Sequence, residues 1–410
     1  MRRGRGLGMK RIAALLLVLG LPLAWIANNG PWADAAARPT PPELQLRPVQ
    51  VAPEANAFVV LTAPNEAAGD PRWPEGPLWN CRPQGENCVA RWLAEPAALR
   101  EALQVAAPIG ERCERAAQAL AYEEVVAERP ASGPAAAQPY ANLPTPIVRG
   151  LNRCVAWFGM QAAASATPAE ALGAAARADR LARMALAGSR SLIATQVAAS
   201  AVEHAWLQAA ALVAAGRFDR RELGGLLAPL PPAALSPRLW VSHEARFARE
   251  VTRDLVNPAI GCGSSTFASA DRGWLDDLVC RFGLGLLPEQ TAQDIDARWA
   301  ARLALVPAEG PAPCERLDDP PWRETGRFWP AWRNSIGRWL LDVPGVDWGV
   351  YAARQLDLEL LRQTLAAQAL GQSPPGAVSL TREDGALRFA ACRARRGPGN
   401  AEATLKLPLI

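Results

Sequence analysis

Eight cysteines constrain this chain more than any other feature. Cys81, Cys88, Cys113, Cys154, Cys262, Cys280, Cys314 and Cys392 are spread through it, without a C-x-x-C pair and with only His204 and His243 to join them. A tetrahedral zinc site wants closely spaced thiolates and further Cys or His ligands. The pattern therefore favours disulfides over metal, and disulfides persist in exported proteins. Between Cys81 and Cys88 lies RPQGEN, where Pro83 and Gly85 let the chain turn back and bring the two sulfurs within bonding range. That pair is expected to be bridged. Roughly a hundred pairings of eight cysteines exist, and the other three bridges are guesses: Cys113 with Cys154, Cys262 with Cys280, Cys314 with Cys392.

The N-terminus points to the same compartment. Arg2, Arg3, Arg5, Lys10 and Arg11 precede an apolar run of 16 residues, Ile12–Ala27, and a small-x-small stretch follows at Ala33-Asp34-Ala35-Ala36-Ala37. A basic head, an apolar middle and small residues describe a secretory signal. A spanning helix needs ~20 apolar residues, a length reached only if the segment extends to Trp32. Residues 12–32 are thus either a cleaved signal or a retained inner-membrane anchor, with Trp25 and Trp32 suited to the interface. Positive charge stays on the cytoplasmic side, so everything after residue 35 is expected outside, in the periplasm of a bacterium.

Of the 44 Lys and Arg, five lie in the first 35 residues together with one of the 40 acids, so the remainder balances at 39 and 39. A body without net charge has no field to attract phosphates, which argues against nucleic acid as a partner.

Residues 36–80 are rich in proline, which fixes φ and removes a donor; they read as an extended arm, with a short strand or helix at Ala57–Thr62. A free Pro-rich arm spans ~3.1 Å per residue, enough to hold a body more than about 100 Å from its anchor. Helical signals then dominate. Pro96 opens one helix, and Pro108 opens a stretch read as helical over 109–128. Apolar residues recur at helical spacing from Ile147 to Phe158. Thr167-Pro168-Ala169-Glu170 is a capping box, and long helices are expected over about 191–215, after Ser236-Pro237, over 289–305 and over 347–370. Strand signals appear at 377–380, 386–391 and 403–407 around Glu383-Asp384-Gly385. The expected fold is mainly α, with stacked helix pairs in a bundle or short solenoid-like array, bridged by disulfides, with a small C-terminal β hairpin. Its parts are a leader (1–35), an arm (36–80), a helical domain (81–372, with a subdivision near 229–236), and a hairpin and tail (373–410).

The residues assemble no recognisable chemistry. No G-x-S-x-G elbow is present, and Ser264-Ser265 read as loop. His243-Glu244 lacks the second His of a zincin helix. Asp276-Asp277 and Asp318-Asp319 are adjacent acids, which point in different directions on a helix. No catalytic, cofactor-binding or metal-ligating residue is assigned. The most unusual segment is 322–348, where Trp322, Trp329, Trp332, Trp339 and Trp348 alternate with Arg323, Arg327, Arg333 and Arg338. Trp and Arg are enriched in binding hot spots, so Trp329, Trp332 and Arg333 are the candidate partner surface. The competing reading is that these aromatics fill a core seam.

Several short motifs, Asn56-Ala57-Phe58, Asp70-Pro71, Cys81…Cys88, Arg190-Ser191-Leu192-Ile193, Glu244, Asn334…Gly337, Arg354…Asp357 and Asp384-Gly385, together resemble a group of exported helical envelope proteins of proteobacteria. The resemblance spans roughly residues 50–392 and implies a tethered helical body, with no activity, cofactor or catalytic residue attached to it. The expected function is a non-enzymatic scaffold or accessory factor at the inner membrane, with an envelope protein as partner. The alternative is an envelope hydrolase or lyase using carboxylates such as Asp276, Asp277 or Glu244.

Overall fold

The structure, a computed structural model, describes residues 19–62 except 47; 76, 78, 79, 81 and 87–125; 149–256; 286–314; 348–383 except 377; 386–392; and 405–410 except 409. The chain is mainly helical, with a small three-stranded antiparallel sheet near its C-terminus.

Three consecutive helices make the centre: α6 (Arg149–Ala164), α7 (Pro168–Gly188) and α8 (Leu192–Ala214). They begin where local chemistry says they should. Thr167 accepts from the Glu170 amide while the Glu170 side chain reaches back to the cap, with Pro168 at the first turn. Ser191 caps α8 by accepting from the Ala194 amide. Three-residue connections fold these helices back on one another. α8 is mostly apolar and buried along most of its length, as a helix packed at the centre of a bundle must be. Among the described residues it alone is long and apolar enough to cross a membrane, and 78% of that stretch is buried in the body.

Around this trio pack α2 (Ala57–Thr62), α3 (Cys88–Ala94), α4 (Pro96–Val105), α5 (Ala107–Gln118) and α9 (Arg220–Leu226). Their cluster includes Trp92, Phe158 and Trp206. A second cluster forms between α10 (Arg238–Val256) and α11 (Pro288–Leu305), with Trp240, Val241, Leu303 and Ala353. The last helix, α12 (Trp348–Ala369), serves both, giving Ala352 and Ala353 to one cluster and Leu358, Leu361 and Leu365 to the other. The arrangement is a bundle around α8.

The hairpin pairs β1 (Ser379–Glu383) with β2 (Ala386–Ala390) in the register Ser379↔Ala390 to Glu383↔Ala386. A third strand, β3 (Leu405–Leu407), covers the other edge of β2. Phe389, Leu405 and Leu407 all enter the first cluster, so the sheet is a lid on the bundle.

Among the described residues there are three disulfides: Cys81–Cys88, Cys113–Cys154 joining α5 to α6, and Cys314–Cys392 fastening the chain after α11 to the end of the hairpin. Cys262 and Cys280 lie outside the described residues, as do Asp384 and Gly385.

Two expectations need correction. Helix α5 stops at Gln118 and does not run to 128, because residues 121–124 leave helical geometry to lie beside Asn56 and Gly188. Glycine is required at 188, since a Cβ there would sit 1.4 Å from the Tyr122 carbonyl oxygen. Over its described residues, moreover, the arm is not a free spacer. Prolines start short 3₁₀ turns at Pro31–Ala33 in the leader and at Pro42–Leu44 and Pro53–Ala55 in the arm, and between these turns the chain is strapped to the body. Leu44 is buried in the second cluster, Arg249 donates to the Thr40 hydroxyl, and the Asp34 carboxylate accepts from the amides of Glu289 and Gln290 at 3.1 and 2.9 Å. Before the arm, residues 19–29 form α1, whose Leu19, Leu21, Leu23 and Ile26 are exposed.

Candidate functional site

Where the arm crosses the start of α8 and α10 it roofs a cleft of about 700 Å³, lined by Pro42, Glu43, Gln50, Glu123, Arg190 and Arg238 among others. One of two adjacent acids on the extended stretch after α5, Glu123, lines the cleft. A backbone without helical curvature sends neighbouring side chains to opposite sides, and Glu123 and Glu124 take different roles. Glu124 is buried. Its carboxylate accepts from the amides of Arg190 and Ser191 at 2.6 and 2.7 Å and from the Ser191 hydroxyl at 2.5 Å. A carboxylate at a helix N-terminus meets the positive end of the dipole and amides that have no partner within the helix. Glu123 faces the cleft, accepting from the arm amides of Gln50 and Val51 and pairing with Arg190 at 3.4 Å. Asn56 bridges the two segments, accepting from the Phe58 and Glu123 amides and donating to the Glu123 carbonyl.

Two arginines also line the cleft. Arg238 donates to the carbonyls of Leu303, Val306 and Pro307, satisfying the last turn of α11 with a cation where the dipole favours one. Arg190 donates to the Pro48 carbonyl. The charges that line the cleft thus hold the arm and the helix ends, and the chemistry on show is that of a clasp.

Glu244 belongs to the same neighbourhood. Its carboxylate accepts from the Leu192 amide at 3.1 Å, and His243 Nδ1 lies 3.1 Å from the same oxygen. Asn56, Arg190-Ser191-Leu192 and Glu244, scattered in sequence, therefore converge on the first turn of α8.

A second polar cluster lies further along α8. Glu203 is buried and sits 3.7 Å from Arg354 of α12. His204 Nε2 is 3.4 Å from the Ser200 hydroxyl. Burial pushes the His204 imidazole down to about 4, opposed by Glu203 and aided by Arg354, so it is neutral at pH 7. On α12, Asp357 accepts from the Cys392 amide at 2.7 Å, tying the end of the hairpin to the bundle.

Half-buried Asp179 forms a third cluster. It accepts from both Arg183 and the Trp206 indole, and desolvation raises its carboxyl above the usual range against the pull of Arg183. Arg183 and Arg362 donate to the carbonyls of Leu226 and Leu227, closing the end of α9.

The other residues singled out from the sequence, Ser264, Ser265, Asp276, Asp277, Asp318, Asp319, Trp329, Trp332 and Arg333, lie outside the described residues. No group of His, Cys, Asp and Glu suited to a metal occurs among the described residues. Sequence reasoning missed Asp34, Glu124 and Arg238. The available signal was two helix starts whose own first residues leave amides in need of an acceptor, with acids free elsewhere to supply one. No family model, curated protein or solved structure matches the chain.

Proposed function

We propose that this is an exported, inner-membrane-associated periplasmic protein that serves as a non-enzymatic scaffold or accessory factor, with an envelope protein as its partner. The observation that supports the reading is the junction at the N-terminus. An apolar segment headed by five cations runs within a few residues into a body closed by three disulfides, bonds that persist in oxidising compartments. The rival hydrolase or lyase needs its carboxylates free to move protons. Glu244 is instead engaged in capping α8, which favours the scaffold.

The test combines topology with capture. In intact cells opened only at the outer membrane, added protease should reach the body, and its cysteines should resist alkylation until reduced. A reduced, protected protein in the cytoplasm would refute export. Affinity capture from detergent-solubilised envelopes should then recover a partner in fixed ratio. Changing Trp332 to Ala should lower that recovery at unchanged melting temperature; a large drop in melting temperature would put these tryptophans in the core and remove them as the contact.

A further inference from the structure

We propose that the N-terminal segment is a retained anchor and not a cleaved signal, and that the residues just after it hold the body flush against the outer leaflet of the membrane. The inference rests on export as proposed above and decides between the two fates of the leader. Hydrolysis at the small-x-small site would cut after Ala35 or Ala37, and either cut removes Asp34.

Asp34 is part of the body. Helix α11 begins with Pro288 after Leu287, whose side chain offers no cap. The acceptor its first turn lacks comes from Asp34, whose two carboxylate oxygens take the Glu289 and Gln290 amides from more than 250 residues away in sequence. The backbone beside it is also engaged, with Gln293 donating to the Ala36 carbonyl at 2.8 Å. Upstream, Asn29 is fully buried and Gly30 is buried beside it.

A cut after Ala35 would do more than delete this cap. It would create an α-ammonium on Ala36, still charged at neutral pH, beside the positive end of α11. A favourable negative charge would give way to an unfavourable positive one. An exported chain that depends on Asp34 for the start of α11 is built to keep it.

Retention also fixes the distance. From Ala27, the last residue of the apolar run, to Asp34 on the body is seven residues, at most about 25 Å of extended chain. Trp32 is exposed between them, with its indole donating to the Ala27 carbonyl, at the level where interfacial tryptophans sit. The membrane surface itself is the partner that this edge of the body meets.

The test is intact-mass measurement and carbonate extraction of the full chain, expressed with a C-terminal tag in a bacterium. The expected result is an uncleaved N-terminus, at most lacking Met1, in the membrane pellet. A chain starting at Ala36 or Arg38 and released to the soluble periplasm would overturn the proposal. Oxidised cysteines in that released chain would leave export standing, whereas an uncleaved but reduced and protease-protected chain would instead sink export. Asp34→Ala probes the seat independently. Amide exchange at Glu289 and Gln290 should rise about tenfold while the protein stays in the pellet; unchanged exchange would remove the structural basis of the claim.

Discussion

Replacing Glu124 with alanine removes one buried acceptor from three donors at once: the Arg190 amide, the Ser191 amide and the Ser191 hydroxyl. Each buried donor left without a partner costs about 1–3 kcal/mol, with more at stake when the lost group is charged. The favourable charge at the α8 N-terminus, about 0.3–1 kcal/mol, is lost as well. Water entering the space left by the carboxylate recovers part of this, so the expected net loss is about 4 kcal/mol. For a body of this size that corresponds to a fall of roughly 5 °C in melting temperature. The assay is thermal unfolding followed by circular dichroism, with Glu123→Ala as the comparison. Glu123 is only partly buried and its partners are arm amides and Arg190, so its loss should cost about 1 kcal/mol and loosen residues 48–51 without weakening the bundle. A Glu124→Ala protein melting within about 2 °C of the parent, or a Glu123→Ala protein melting below it, would refute this account of how α8 is started.

Gly188→Ala places a methyl group against the Tyr122 carbonyl; overpacking against backbone should destabilise the protein by about 3 kcal/mol, read by urea unfolding. The His204 imidazole is held down to about 4 against 6.5 unperturbed, so the unfolded chain binds a proton in that window that the folded one does not. Stability should therefore fall by about 3 kcal/mol as pH drops from about 6.5 to about 4 and level off below; His204→Gln should flatten that part of the curve, and an unchanged curve would refute it. The Cys314–Cys392 bridge spans 78 residues and Cys81–Cys88 spans 7. Opening the first by paired serine substitutions should cost about 2 kcal/mol more than opening the second if loop closure dominates, measured by denaturant midpoints.

The parts of this fold that could be read from sequence are those set by neighbours in sequence. The capping box at Thr167–Glu170, the proline at the start of α4 and the long apolar face of α8 each depend on residues within one or two turns. The Cys81–Cys88 bridge was argued from the short loop it closes and is present. No such local argument reaches Cys113–Cys154 and Cys314–Cys392, which are also present. What was not legible depends on pairs far apart. Nothing near Asp34 shows that its carboxylate meets Gln290, 256 residues on. The end of α5 at Gln118 follows from the pairing of Asn56 with Ala121 and from room made by Gly188, which override a run of residues with good helical propensity. The clasp under the arm was invisible for the same reason, since its acids and arginines carry no periodic pattern.

The Cys314–Cys392 bond has a further meaning for the integrity of the chain. It closes a covalent ring that contains the tryptophan-rich stretch, all of α12 and the β1–β2 hairpin. A protease that cuts once anywhere inside that ring opens a gap in the backbone but releases nothing, because both ends remain joined through sulfur. A nicked molecule would keep α12 joined to the body and migrate as one species on a gel run without reductant. Only reduction would separate the pieces, so in this protein damage to the backbone and loss of the assembled body are distinct events.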